Sequence, residues 1–321
     1  MANKIKICIL LGVYNGVDYL HDQIASIITQ DHTRWEMLAR DDASDDFSMN
    51  ELKSFAAGDT RIHLAQDSLG NRGVVQNFGL LMEKALSTSS DYFVFSDQDD
   101  VWMPDKLSCQ LDVLRKIEAA FPDQPVMVHS DLEVVDASLH PIAFSFMKYQ
   151  GIRNQVVEPV KNLLIQNFVT GCTMMINRNL LEKALPIPET ALMHDWWVAL
   201  CAAVLGRIGF INRPLLKYRQ HGKNSVGAKS VVAALNPLKG RWCDIWLSGM
   251  KNLSRSFPQA QSLSLRILEH DPSNPYTQVV QAYASLLNLS PVQRVFELNR
   301  QGICSQSFLR HLLTVSRLLV L

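Results

Sequence analysis

Apolar runs of strand length alternate with amphipathic runs of helix length between residues 5 and 95, and the strand-like runs end in polar or acidic clusters. Residues 5–11 read as an apolar strand, 12–16 (Gly-Val-Tyr-Asn-Gly) as a turn, and 18–30 as a helix with Leu20, Ile24, Ile27 and Ile28 at helical spacing. Residues 35–39 form a second strand that ends in Arg40-Asp41-Asp42-Ala43-Ser44-Asp45-Asp46, followed by a helix over 49–55. A third strand (61–65), a third helix (74–86) and a fourth strand (92–95) continue the alternation. Such an order predicts an α/β layer on a parallel sheet. Ligands of these sheets sit outside the carboxyl ends of the strands, which is where Asp41, Asp42, Asp97 and Asp99 fall.

The fourth strand runs into Ser96-Asp97-Gln98-Asp99-Asp100. Residues alternate faces along an extended chain, so Asp97 and Asp99 would point the same way and share one hard cation while Gln98 turns aside. A cation held by one or two carboxylates, with water and substrate phosphates in its other positions, is the usual pattern for Mg2+ or Mn2+ and points to a diphosphate ligand.

Composition narrows the function classes. At 321 residues with 47% hydrophobic content, the chain can bury a large core. Its net charge of zero argues against non-specific nucleic-acid binding, but residues 229–321 carry ten Lys/Arg against four Asp/Glu, which makes them a basic, helical appendage to residues 1–228. Helix breaks are expected near Pro237, Pro258, Pro272, Pro275 and Pro291. Six scattered cysteines form no Cys-x-x-Cys pair, so reduced, buried thiols are expected rather than zinc or a disulfide framework. Apolar residues 7–13 follow Lys4 and Lys6 but lead at once to Asp18, His21 and Asp22, which favours a first core strand over a signal peptide. The apolar stretch 196–211 is broken by Gly206 and Arg207 and is too short to span a bilayer. Farther along, residues 126–130 read as a strand and 168–176 as a strand broken by glycine, a place where another group can approach closely.

The acidic run with its preceding strand, and with Trp102-Met103-Pro104-Asp105-Lys106 after it, resembles the metal-binding segment of the family-2 glycosyltransferases. The longer form Ser-Asp-Gln-Asp-Asp-Val-Trp with Pro-Asp-Lys is similar to the rhamnosyltransferase-like branch of bacterial surface-polysaccharide synthesis. Over about residues 5–227 the resemblance implies a GT-A fold with a C-terminal helical extension, and an inverting, metal-dependent transfer of a sugar from a nucleoside diphosphate. It suggests a dTDP-rhamnose donor, with UDP-hexoses left open, and together with the basic C-terminal segment it implies a glycan acceptor on a polyprenyl diphosphate and a cytoplasmic chain peripheral at the inner face of the plasma membrane. By the same resemblance Tyr14 and Asn15 lie along the donor nucleotide, and Asp42, with Asp41 beside it, accepts the pyrimidine N3 hydrogen. Gly73 and Asn77, in Asn71-Arg72-Gly73-Val74-Val75-Gln76-Asn77-Phe78, stand at a helix start that offers N–H groups to phosphate. Asp97, Asp99 and His221 hold the metal, Asp97, Arg219 and Lys223 meet the diphosphate, and Asp195 of Met193-His194-Asp195-Trp196-Trp197 is the general base.

Each of these residues also has a plainer reading. Asp42 to Asp46 can be an acidic helix cap, Asn77 a buried satisfied amide, Arg72 an exposed partner for nearby acids, Asp195 an N-cap and His221 a structural histidine. Trp196 and Trp197 can be core, or one indole can stack on the acceptor sugar. Ala43, where the family has glycine, must avoid the left-handed backbone or bear strain there. The apolar C-terminal segment 307–321, with its spaced basic residues, suits an anionic membrane surface, packing on the catalytic part, or a dimer contact. A metal-dependent nucleotidyl transferase or diphosphate hydrolase would use Asp97 and Asp99 without Asp195, and a nucleotide-sugar binding module would need no base at all.

Overall fold

The computed structural model describes residues 5–153, 157–222 and 242–321, and the side chains of the last stretch from residue 246. Lys223, Pro237 and the boundary drawn at 228/229 lie outside the described residues, as does the Cys243 side chain.

The predicted alternation is present as β1 (Ile7–Val13), α1 (Val17–Ile28), β2 (Trp35–Asp41), α2 (Ser48–Gly58), β3 (Ile62–Leu64), α3 (Gly73–Ala85) and β4 (Tyr92–Ser96). β1 is parallel to β2 and β4, and β2 to β3. Both faces of β1 are covered, which is why it reads as a continuous apolar run. Ile7, Ile9, Leu11 and Val13 join Leu20, Ile24 and Ile27 of α1 in one core, while Cys8 and Leu10 join Phe78, Leu81 and Met82 of α3 in the other.

The second half departs from a purely parallel sheet. β5 (Val101–Trp102), α4 (Lys106–Ala120), β6 (Val126–Val135), β7 (Pro141–Ala143), α5 (Phe146–Gln150) and α6 (Pro159–Leu163) precede a short 3-10 turn, Gly171–Thr173. β8 (Met174–Asn177), α7 (Arg178–Ala184), α8 (His194–Leu205) and β9 (Arg207–Arg219) follow. The strands run in the order β3-β2-β1-β4-β8-β6-β9-β5, with β7 against β6. β8 is antiparallel to both β4 and β6, and β9 is parallel to β6. Two reversals restore direction, so β1, β2, β4, β6 and β9 all end at one edge of the sheet, and the acids after β2 and β4 share that edge with His221. Only Met174–Asn177 of the predicted strand 168–176 is a strand, because Gly171 turns its N–H toward α8.

Beyond the sheet lie α9 (Trp242–His270), α10 (Thr277–Ala284), α11 (Pro291–Arg300) and α12 (Phe308–Val320). α9 continues through Pro258, where a break was expected. Its neighbours Phe257, Gln259 and Ala260 are buried, and that packing outweighs the hydrogen bond lost at proline. Leu253, Phe257, Ala260, Leu263 and Ile267 belong to the same core as α3 and α8, so this region is built into the main body. Gln259 accepts from Leu192 N at 2.8 Å and Asn274 donates to the Val204 carbonyl at 2.7 Å. Cys8, Cys109, Cys172, Cys201 and Cys304 are free; Cys304 is exposed, against the expectation of buried thiols throughout. Among the described residues no helix is long and apolar enough to cross a membrane.

Candidate active site

The first loop is fastened to both acidic segments. Tyr14 N donates to Gln98 Oε1 at 2.7 Å, and Gln98 Nε2 returns a bond to the Tyr14 carbonyl at 2.9 Å. Asn15 N donates to Ser44 Oγ at 2.9 Å, and Asp45 N donates to Asn15 Oδ1 at 2.9 Å. Asp41 accepts from Ser44 N at 3.0 Å and from its hydroxyl at 2.5 Å, so this carboxylate shapes the turn. Ala43 sits in the left-handed region at φ 62, a strain of about 1–2 kcal/mol that this network sustains. Tyr14 stays half exposed at the mouth of the crevice.

Behind the loop lies an ion cluster centred on Arg40, a residue that carried no signal in the sequence beyond its place before Asp41. Arg40 is 1% exposed and uses all five donors: Nε and Nη2 on Asp67 at 2.8 and 3.1 Å, Nη1 on Asp42 at 2.5 Å and Asn77 Oδ1 at 3.0 Å, and Nη2 again on the Gly70 carbonyl at 3.1 Å. Asp42 is 2% exposed and also accepts from Arg72 N and Gly73 N, each at 2.8 Å. The first N–H groups at the start of α3, expected to face phosphate, therefore meet the Asp42 carboxylate, and Asn77 is a buried, satisfied amide.

After β4 the extended chain ends at Ser96 and residues 97–100 bend. The alternation that would pair Asp97 with Asp99 does not carry through the bend. Ligand atoms of Asp97, Asp100 and Cys172 lie within 4.8 Å of one another, whereas Asp99 Oδ2 is 2.8 Å from His221 Nε2. Burial pushes Asp97 up to about 7, with the charges of Asp99 and Asp195 adding to the effect. Burial likewise raises Asp100 far above the carboxylate range, against the pull of the Cys172 thiol and the Arg219 backbone beside it. Two carboxylates whose oxygens lie this close, with the charge of Asp97 adding to the rise of Asp100, fit a hard divalent cation. The Cys172 thiol does not, since burial holds it protonated. Arg219, expected at the diphosphate, is 3% exposed and donates to the Asp99 carbonyl at 2.9 Å, the Ala137 carbonyl at 2.6 Å and Asp22 at 2.9 Å, so it fixes the acidic bend to the end of β9. Lys106, lowered to about 7 by burial, donates to Gln110, which in turn donates to the Thr173 carbonyl beneath the bend.

Asp195, in the first turn of α8, is 8% exposed. Its Oδ1 accepts from Trp196 N at 2.6 Å and Asn167 Nδ2 at 3.1 Å, and its Oδ2 from Gly171 N at 2.9 Å. Burial pushes it up to about 6, against the pull of these hydrogen bonds. A Cβ on residue 171 would stand 2.9 Å from His194 Nε2 and 3.3 Å from the Asp195 Cβ, which is why glycine is needed there. His194 stacks on Phe78 at 3.9 Å and burial lowers it to about 3, so it is a neutral core residue. Trp196 and Trp197 are buried, with their indole N–H groups on the Leu163 and Ala184 carbonyls, so neither indole faces an acceptor. Sequence reasoning passed over Arg40, Gln98, Asp100 and Asn167. Of these, Gln98 and Asp100 sat inside the acidic run in plain view.

The sequence pattern of Glycosyl transferase family 2 matches residues 8–185, a stretch that includes both acidic loops. TuaG of Bacillus subtilis, named for a glycosyltransferase of teichuronic acid biosynthesis, is 32% identical over 258 residues, 75% of this chain and 93% of that protein. RfbG of Shigella flexneri, named a dTDP-rhamnosyl transferase, is 26% identical over 250 residues, 72% of this chain and 80% of that one. Among solved structures, S. aureus TarS 1–349 in complex with UDP-GlcNAc is similar in fold at a TM-score of 0.57 and 13% identity, over 98% of this chain and 89% of that one. The mannosyltransferase PcManGT from Pyrobaculum calidifontis, in complex with GDP-Man and Mn2+, gives 0.51 at 15% identity, over 98% and 86%. With the family pattern covering more than half of the residues and the fold similar to these structures over nearly the whole chain, the chain belongs to glycosyl transferase family 2 and is built on the GT-A fold.

Proposed function

We propose that the chain moves a sugar, rhamnose by preference, from a nucleoside-diphosphate donor to a hydroxyl of a glycan acceptor, inverting the anomeric centre, in the synthesis of a cell-surface polysaccharide. The observation that carries this reading is Asp195: a buried carboxyl, raised to about 6 and held by three donors, whose charge is felt by Asp97 of the acidic bend. A base needs a pKa near the working pH and a fixed direction, and Asp195 has both. It takes the acceptor proton as the hydroxyl oxygen attacks the anomeric carbon from the side opposite the leaving diphosphate, and that geometry inverts the centre. Asp97, Asp99 and Asp100 with His221 are the residues that would hold Mg2+ or Mn2+, which when bound supplies charge stabilisation for the departing nucleoside diphosphate. Tyr14 and Asn15 line the donor side, with Gln98 tying that loop to the acids. The name of RfbG supports dTDP-rhamnose as donor, and that of TuaG, from teichuronic acid biosynthesis, supports a polysaccharide product.

The acceptor is proposed to be carried on a polyprenyl diphosphate, with α12 at the lipid surface. Phe308, Leu309, Leu312, Leu319 and Val320 are exposed on that helix. The contact would be apolar, because Arg310 turns inward to the Gln150 and Gly151 carbonyls and Arg317 lies over Trp246.

The test is nucleoside-diphosphate release from dTDP-, UDP- and GDP-sugars with Mn2+ or Mg2+, comparing wild type with Asp99→Ala and Asp195→Ala. Metal-requiring release from one donor, lost in Asp99→Ala, together with acceptor-dependent transfer lost in Asp195→Ala, is the expected outcome. Nucleoside monophosphate or pyrophosphate as the product would instead identify nucleotidyl transfer or diphosphate hydrolysis, and no turnover of any donor would leave a binding module.

A further inference from the structure

We infer that Asn167 is a positioning residue that fixes which oxygen of Asp195 receives the acceptor's proton, an inference that rests on Asp195 being the base. Asn167 lies in the loop between α6 and the 3-10 turn. Its Oδ1 accepts from Val169 N at 3.0 Å, which settles the orientation of the amide and leaves Nδ2, a donor only, facing Asp195 Oδ1 at 3.1 Å. Trp196 N also donates to Oδ1 at 2.6 Å, so both in-plane lone pairs of that oxygen are filled. Among the described residues Oδ2 accepts from one other residue, Gly171 N at 2.9 Å, and no side chain claims its remaining lone pair.

The consequence is an assignment at the level of atoms. As the acceptor oxygen bonds to the anomeric carbon, the bond from that carbon to the diphosphate oxygen breaks and its electron pair leaves with the diphosphate. The acceptor O–H bond breaks and the proton passes to Oδ2 of Asp195. Were the Asn167 donor absent, Oδ1 would have an open lone pair too, the carboxylate would present two oxygens, and a share of its orientations would be unproductive. Asn167 touches neither donor nor acceptor in this account. Its effect falls on the transfer step and not on donor binding.

The experiment measures transfer from dTDP-rhamnose, with a lipid extract bearing polyprenyl-diphosphate glycans as acceptor. The full-length chain is compared with Asn167→Ala, Asn167→Asp and Asp195→Asn, and thermal unfolding is followed for each. Asn167→Ala is expected to lower kcat for transfer about tenfold, the loss of one hydrogen bond to a charged group, with donor KM unchanged. Asn167→Asp keeps the shape and the acceptor for Val169 N but replaces a donor with a second carboxylate, so its transfer falls further while it remains folded. Should Asn167→Ala unfold, this isosteric variant makes the comparison alone. Wild-type kcat in both Asn167 variants, with Asp195→Asn inactive, overturns the positioning role and leaves the base in place. A loss of kcat matched by an equal rise in donor KM also overturns it. Transfer at the wild-type rate in Asp195→Asn removes the base reading and this inference with it.

Discussion

Arg40 Nη1 and Asp42 Oδ1 meet at 2.5 Å in the interior, with side-chain exposures of 1% and 3%. The same guanidinium holds Asp67, whose carboxyl is pulled down to about 2, chiefly by that hydrogen bond. One cation thus joins the end of β2, the loop at 67–70 and the start of α3, and Arg40→Ala would leave Asp42 buried without its counter-charge. Breaking a buried pair from one side costs about 3–5 kcal/mol. Urea unfolding of Arg40→Ala should show a loss of that size, whereas Asp67→Asn, at the more exposed end of the cluster, should lose clearly less. Equal losses in the two variants would mean that the cluster is not organised around the Arg40–Asp42 contact.

Gly16 and Gln98 share a space that admits only one side chain. A Cβ at position 16 would stand 2.3 Å from Gln98 Cδ, so Gly16→Ala must expel the side chain that clasps Tyr14 from both sides. The backbone at Gly16 has an ordinary negative φ, so crowding alone sets the cost. Gly16→Ala should weaken donor binding more than it lowers Tm. In the double variant Gly16→Ala/Gln98→Ala, the two stability losses should fall short of additivity by more than about 0.5 kcal/mol, the signature of sites in contact. Additive losses would contradict the clash. Isothermal titration with nucleoside diphosphate and thermal unfolding together measure both effects.

The parallel half of the sheet was legible in the sequence because strands covered on both faces read as apolar runs, unbroken in β1 and β4 and interrupted in β2 by Glu36. The convergence of two acidic loops was legible for the same reason, since strand ends in such a sheet share an edge. What stayed hidden depended on partners remote in sequence. β6 was expected to stop at Ser130 because Asp131 and Glu133 look like loop residues, yet the strand runs to Val135 and Asp131 is buried against Ser145 and Met147 N. The grouping of Asp97 with Asp100 needed the bend at 97–100, which a rule of alternation cannot supply. Asn167 carries no motif of its own, and its meaning comes from Asp195 lying 28 positions away. Pro258 signalled a break that buried neighbours override.

His194 makes stability depend on pH with a definite sign. Burial lowers it from 6.5 to about 3, and neither ring nitrogen has a hydrogen-bond partner among the described residues. The unfolded chain therefore binds a proton below about 6.5 that the folded chain refuses until about 3, so this residue's share of stability is present above 6.5 and lost as pH falls toward 3. At pH 4.5 the deficit is about 2–3 kcal/mol relative to pH 7. His194→Phe keeps a ring against Phe78 and removes the titration. Its stability, followed by denaturant melts from pH 7.5 to 4.5, should fall less steeply than that of the wild type by that amount. Parallel curves for the two proteins would show that the ring is not buried neutral.

Asp195 sets the acid limb of activity. Its carboxyl, raised to about 6 chiefly by burial, must be ionised to accept the acceptor's proton. As pH falls through 6 the working form is titrated away, and kcat/KM for transfer should drop about tenfold for each further unit of pH. Asp195→Asn keeps one acceptor oxygen, for either the Trp196 or the Gly171 N–H group, and has no proton affinity, so transfer should fall about a hundred- to ten-thousand-fold. Asp195→Glu moves the carboxyl by one methylene away from the Gly171 and Trp196 N–H groups that hold it, and should recover only part of the rate. Binding of the nucleoside diphosphate with Mn2+, which involves no proton transfer, serves as the internal control, because it reports the donor side and the acidic bend separately from the base. A transfer profile flat from pH 5 to 8 in the wild type would assign the proton transfer to a group other than Asp195.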